Sequence, residues 1–235
     1  MATFALVPGA GGSGWYWHRV VPELEQRGHR AVALDLPSGD PAADFAAYTD
    51  ACVQQLRNAG IDIAAGDGDV VVVAQSLGGF TAPVLAERVG SERIVLVNAM
   101  IPLPHETPGH WFGHSGAGQA RKALAAADGR ELGDDIDEMQ EFFHDVPDDV
   151  VEEAMRQGEP EQSDAIMDCA TPFDVWPAPV TVVTGRDDRL FPRDFQVQFA
   201  KERLGVDAVV VPGGHLAALS QPAALADAFL SSGGT

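Results

Sequence analysis

Lysine is almost missing from this chain of 235 residues: Lys122 and Lys201 are the only two. Basic residues together number 15 against 35 acidic ones, a formal net charge of −20 at pH 7. That balance repels phosphate backbones and anionic headgroups, so neither nucleic acid nor a membrane surface is an expected partner. Cysteine is as scarce. Cys52 and Cys169 give no disulfide framework and no metal-ligand spacing, and they read as reduced thiols of a cytoplasmic protein. No apolar stretch approaches the ~20 residues of a membrane span. A basic leader is lacking too: the strand-like Thr3-Phe4-Ala5-Leu6-Val7 begins almost at Met1, so no signal peptide is expected. Hydrophobic residues, at 46%, are plentiful enough to exclude disorder.

What is present alternates. Short, nearly unbroken apolar runs at Thr3–Val7, Arg30–Leu36, Asp69–Ala74, Arg93–Asn98, Val180–Thr184 and Asp207–Val211 suit parallel strands covered on both faces. Helix-like stretches lie between them, near Trp17–Arg27, Phe45–Asn58, Leu77–Arg88, Asp194–Leu204 and Pro222–Leu230. The pattern predicts an α/β fold with a mostly parallel central sheet flanked by helices. Between Met100 and Pro179 the alternation stops, and the acidic, helix-forming sequence there reads as a helical lid inserted before the strand at Val180. The expected organisation is therefore a core from 1–99, a lid from 100–179 and the rest of the core from 180–235. Asp and Glu number 18 in the lid against four Arg and Lys, so 14 of the 20 net negative charges belong to it. A solvated helical surface explains most of that charge. An acidic cover would also disfavour anionic substrates, with Asp134, Asp135, Asp137 and Glu138 the densest group.

The most informative segment is Val70-Val71-Val72-Val73-Ala74-Gln75-Ser76-Leu77-Gly78-Gly79-Phe80. An apolar strand runs into Ser76 and out into a helix, with small residues two places before and two after. A tight strand–turn–helix of this kind lifts the hydroxyl to the carboxyl edge of the sheet and aims it at free helix N–H groups. Pro83 sits inside the expected helix, where it should kink it.

A serine hydroxyl needs a base and an orienting carboxylate to attack. Asp187 and Asp188 both follow the strand ending at Thr184, at the edge where α/β sites form. His215 follows the last strand on the Gly-rich run Pro212-Gly213-Gly214. Serine, acid and histidine thus come in the chain order of one widespread hydrolase architecture.

These segments carry a family resemblance. The motifs are Leu6-Val7-Pro8-Gly9-Ala10-Gly11 with Trp15 and Trp17, Ala74-Gln75-Ser76-Leu77-Gly78-Gly79, Gly185-Arg186-Asp187-Asp188 and Gly213-Gly214-His215. Over essentially its whole length the chain resembles α/β-hydrolase-fold proteins. It is similar to the small branch of plant-type methylesterases and hydroxynitrile lyases and their bacterial relatives. The resemblance implies Ser76 as nucleophile, His215 as general base and acid, and Asp188 rather than Asp187 as orienter. It implies an oxyanion hole from the backbone N–H groups of Ala10 and Leu77, and an ester-type substrate cleaved through an acyl-enzyme without a cofactor. The chain departs from the pattern at Pro8, where the family usually has His. Leu216 and Gly9 stand where the lyases carry Lys and Thr, which argues against cyanohydrin cleavage.

Trp111, Phe112, Phe142, Phe143, His144 and Met155 are the expected pocket liners, pointing to a small, largely apolar substrate. Two other readings compete. Gly9-Ala10-Gly11-Gly12-Ser13-Gly14 fits a dinucleotide fingerprint with Asp35 as ribose acid, but Trp15, Tyr16 and Trp17 crowd the place where a pyrophosphate needs small residues. A non-catalytic small-molecule receptor on the same scaffold is the other; loss of a triad residue would favour it, and none is lost. His105, His110 and His114 share one segment, yet without helix signals the spacing of the last two gives no metal site.

Overall fold

The apolar runs pair in parallel in the computed structural model, which describes residues 1–63, 70–133, 135–158 and 160–231. The strands are β1 (Thr3–Val7), β2 (Arg30–Ala33), β3 (Val70–Gln75), β4 (Arg93–Val97), β5 (Val180–Gly185) and β6 (Val209–Val211). Their order in one sheet is β2-β1-β3-β4-β5-β6, and every pairing is parallel. Asp69, expected at the start of β3, and Asp134 lie outside the described residues.

The unbroken hydrophobicity of these strands follows from cover on both faces. Successive side chains alternate between the faces. Ala5, Val7, Val72, Ala74, Ile94 and Leu96 enter one core, with α2 (Phe45–Asn58), α3 (Ala82–Val89) and α8 (Arg193–Leu204). Phe4, Leu6, Val71, Val73, Val95 and Val97 enter the other, with α1 (Val20–Gln26), α9 (Ala217–Ser220) and α10 (Pro222–Ser231). The stripe Phe45, Tyr48, Cys52 and Leu56 is the buried face of α2, whose N-cap Asp44 accepts from Ala47 N–H.

Where the elements differ from expectation, local bonding explains it. β2 is shorter than expected: Leu34 N–H still donates to Leu6 O, but at Asp35 the backbone groups turn to a side chain, Gln55 accepting from Asp35 N–H and donating to Asp35 O. The helix expected from Leu77 to Arg88 is two pieces. A 3₁₀ turn covers Ser76–Phe80, and α3 begins afresh at Ala82. Pro83 therefore occupies the first turn of α3, where its missing N–H has no intrahelical partner to lose. Thus no mid-helix kink arises.

From β4 to β5 the described chain forms α4 (Pro108–His114), α5 (Ala117–Ala127), α6 (Glu138–Glu141), α7 (Asp148–Arg156) and a 3₁₀ turn at Asp164–Asp168, with no strand among the described residues. α4 corrects the sequence reading. Thr107 caps it by accepting from His110 N–H at 3.1 Å, and Pro108 opens it, so helix signals were present. His110 and His114 do share a helix face, their rings stacked at 4.1 Å. Their Nδ1 atoms are engaged by Glu106 and by His110 O. Among the described residues no group of three or more His, Cys, Asp or Glu is placed to hold a metal ion. Nor is every acid of this segment solvated. Glu141 is fully buried between Arg121 and Arg130, and Glu106 is buried against Arg203. Among the described residues no helix is long and apolar enough to cross a membrane.

Candidate active site

The strand order reverses its direction of winding between β1 and β3, so the loops leaving their carboxyl ends diverge and open a crevice. Ser76 leaves β3 at that point. Its φ of +50° is a left-handed conformation that costs a residue with a side chain about 1–2 kcal/mol. The neighbours explain the small residues around it. A Cβ on Gly78 would drive into Pro8 O, and one on Gly79 into Met100 O. A Cβ on Gly9 would lie 2.8 Å from the Ser76 Cβ, so the loop after β1 rests against the serine.

The two other motif residues meet it there. His215 Nε2 is 3.2 Å from Ser76 Oγ, and His215 Nδ1 is 2.9 Å from Asp188 Oδ2. An ionised carboxylate can only accept, so Nδ1 carries the proton and Nε2 turns a lone pair to the hydroxyl. Asp188 and His215 are 1% and 3% exposed. Burying a carboxylate is costly unless its oxygens are bonded. Asp188 Oδ1 accepts from Leu190 and Phe191 N–H, both at 2.9 Å, and Oδ2 also accepts from Gln196 Nε2 at 3.2 Å. Asp187 points elsewhere, pairing with Arg186 and accepting from Gly213 N–H.

The structure brings in residues that the sequence reading left out. Asn98, fully buried just past β4, donates from Nδ2 to Gly214 O at 2.9 Å and His215 O at 3.1 Å. Its Oδ1 accepts from Gly185 N–H at 2.6 Å, so one side chain joins the loop of the acid to the loop of the base. Its φ is +45°. Gln75 Nε2 adds a contact to His215 O at 3.4 Å. Phe191 stands edge-on to the His215 ring at 5.2 Å. A polar residue ending an apolar strand was the visible signal for Asn98; nothing local marked Phe191.

Gly12 N–H closes on Gly9 O, and Gly11 N–H donates to Gln162 Oε1 at 3.1 Å. Ala10 N–H takes part in none of these bonds. Leu77 is the second residue of its 3₁₀ turn, so its N–H precedes the turn's own bonds. Asp35, the would-be ribose acid, accepts from Gly14 N–H at 2.8 Å and so closes this loop itself.

The expected pocket liners scatter. Phe142 lies 5.5 Å from the His215 ring, and His144 packs beside Gly214. Trp111 is fully buried in the core against Phe191, with Phe112 at its edge and 44% exposed. Phe143 packs on the opposite core, and Met155 is exposed on α7. A cavity of about 650 Å³ opens behind the acid, lined by Leu124, Asp128, His144, Asp145, Arg189 and Asp194 among others. Neither Ser76 nor His215 lines it, and its mixed charge is unlike an apolar substrate pocket. Burial, then the Arg189 charge, lowers the His144 pKa, so this ring favours the neutral form.

The alpha/beta hydrolase family model matches residues 4–228. The probable esterase PIR7A of Oryza sativa, in both subspecies indica and japonica, is 38% identical over 88 residues. That stretch is 36% of this chain and 33% of the rice protein, so the match spans about a third of the curated relatives' length. The structure of polyneuridine aldehyde esterase superposes with a TM-score of 0.77 at 20% identity, covering all of both chains. An extracellular alpha/beta-hydrolase from a Paenibacillus species does so at 0.72 and 17%, again over all of both chains. The methylesterase MES16 of Arabidopsis reaches 0.72 at 16%, over 99% of this chain and 98% of that one. Identities this low speak for the fold alone.

Proposed function

The chain belongs to the alpha/beta hydrolase family, and we propose that it is a serine hydrolase cleaving an ester-type bond of a small, largely apolar substrate. One observation carries the reading: His215 lies within hydrogen-bond reach of Ser76 Oγ and of buried Asp188 at the carboxyl edge of a parallel sheet. The esterase names of the rice relative and of two structural neighbours agree with it.

In this mechanism Nε2 of His215 takes the Ser76 proton as Oγ attacks the carbonyl carbon. Asp188 holds the imidazole tautomer and stabilises the imidazolium. The developing oxyanion is met by the N–H groups of Ala10 and Leu77, each worth on the order of 10²–10³ in rate. His215 returns the proton to the leaving alcohol, then draws one from water, which attacks the acyl-enzyme; as the acid is freed, His215 gives that proton back to Ser76 Oγ. No step needs a cofactor. The helical segment 100–179 acts as a lid, with the Phe142 ring 5.5 Å from that of His215.

The test is turnover of a panel of esters, thioesters, lactones and amides by wild type and Ser76→Ala. Ester turnover that falls at least ~10³-fold in the variant supports the reading. Turnover unchanged by the substitution, or absent from wild type, overturns it, the latter in favour of a non-catalytic receptor.

A further inference from the structure

The stretch 140–145, from the end of α6 into the loop before α7, touches both loops that carry Asp188 and His215. Gln140 O accepts from Arg189 Nη1 at 2.7 Å, next to Asp188. The Phe142 ring lies 5.5 Å from the His215 ring, and the His144 ring packs against Gly214. Asp145 makes the most direct hold. Its Oδ2 accepts from Gly214 N–H at 2.7 Å and from Ser220 Oγ at 2.7 Å. Gly214 immediately precedes His215, and Ser220 closes α9 just after it, so one oxygen ties both flanks of the base. The carbonyl of the same Gly214 accepts from Asn98. Residue 214 is thus fixed on its N–H side by the inserted segment and on its C=O side by the core.

Two further details fit a built contact. Asp145 Oδ1 and His144 Nε2 are buried without partners. Both lie against Gly214, 2.7 and 2.8 Å from where a Cβ would stand, so only glycine admits this approach. Burying a carboxylate with one oxygen unbonded is unfavourable, and packing alone gives no reason to place it there.

We propose that Asp145 is a positioning residue: through Gly214 and Ser220 it fixes the His215 ring over Ser76. This rests on the serine-hydrolase reading above. The hydrogen bonds it accepts are charge-assisted and so stiffer than neutral ones. A shift of about 1 Å in a catalytic group costs about 10²-fold in rate, whereas a substrate pocket formed elsewhere is unaffected. The helical insertion is then part of the machinery as well as a cover.

The test measures kcat and KM of Asp145→Ala, Asp145→Asn and Ser220→Ala on two esters that differ in acyl size, with circular dichroism to check folding. Asp145→Ala is expected to lose about 30- to 100-fold in kcat on both esters, with KM within about threefold. Asp145→Asn keeps an acceptor for Gly214 N–H and recovers most of the loss; Ser220→Ala loses a few-fold. Folded variants with wild-type kcat, or a KM change that depends on acyl size, overturn the assignment. Should Asp145→Ala fail to fold, a wild-type kcat in Ser220→Ala, which removes the second bond to the same oxygen, overturns it. Wild type without Ser76-dependent turnover fails the underlying reading instead, and the assignment falls with it.

Discussion

Replacing Asn98 probes the joint on which the site hangs. Asn98→Ala strips the partner from Gly185 N–H and Gly214 O, both buried, while His215 O keeps only Gln75 at 3.4 Å. Each orphaned backbone group costs about 1–3 kcal/mol. The φ of +45° adds a smaller penalty, since alanine tolerates that region less well than asparagine. The sum is about 3–5 kcal/mol, a large share of the ~5–15 kcal/mol that holds a domain together. In a chain of this size it lowers Tm by about 10 °C. Asn98→Gly loses the same hydrogen bonds but not the backbone strain. It is therefore expected to be more stable than Asn98→Ala by ~0.5–1 kcal/mol, the reverse of the usual order for these two residues. Urea unfolding at pH 7 followed by tryptophan fluorescence measures both differences. An alanine variant within ~1 kcal/mol of wild type, or an alanine variant more stable than the glycine one, refutes the reasoning.

Ser76 makes a similar prediction at the proposed nucleophile: with φ at +50°, Ser76→Gly is expected to exceed Ser76→Ala in stability by ~1 kcal/mol in thermal unfolding, with both expected to be inactive. The Glu106–Arg203 pair governs the acid limb. Burial pushes the Glu106 carboxyl up, but hydrogen bonds from Arg203, Leu103 N–H and His110 outweigh it and hold the group below its ordinary value. Its stabilisation is therefore complete above the ordinary carboxylate value and is lost as the pH falls through the lower folded value. Arg203→Leu is expected to cost about 3 kcal/mol at pH 7 in urea unfolding, and the gap from wild type is expected to close toward pH 3. A gap that stays constant with pH contradicts that account.

Elements whose cause is local were readable from sequence. The Val-rich strands needed only cover on both faces, and α2 starts and ends at Phe45 and Asn58 as its stripe and its Asp44 cap require. Ser76, Asp188 and His215 were visible because a strand end, a glycine and a loop mark each of them. What sequence could not supply is what reaches these residues from afar. Asn98 is 117 positions from His215, Asp145 is 69 from Gly214, and Gln162 is 151 from Gly11. Their side chains have no local period or spacing, and only the packed sheet brings them together. Pro83 looked anomalous because one continuous helix was expected. The break at Thr81 comes from the tight turn that Ser76 needs, not from the proline. α4 was not expected, the segment being read as without helix signals, although Thr107 and Pro108 are the very residues that start it.

The charge that first excluded partners is partly structural as well. Of the acids in the inserted segment, Glu106 and Glu141 are buried in ion pairs, and Asp145 reaches the His215 loop. Asp135, Asp137 and Glu138 are exposed, as a solvated surface requires.

The most direct test of the central claim is intact-protein mass spectrometry after incubation with a fluorophosphonate, followed by peptide mapping. The account predicts one adduct, located on Ser76, absent in Ser76→Ala and greatly slowed in His215→Ala. An unlabelled wild type, or label that persists in Ser76→Ala, would contradict it.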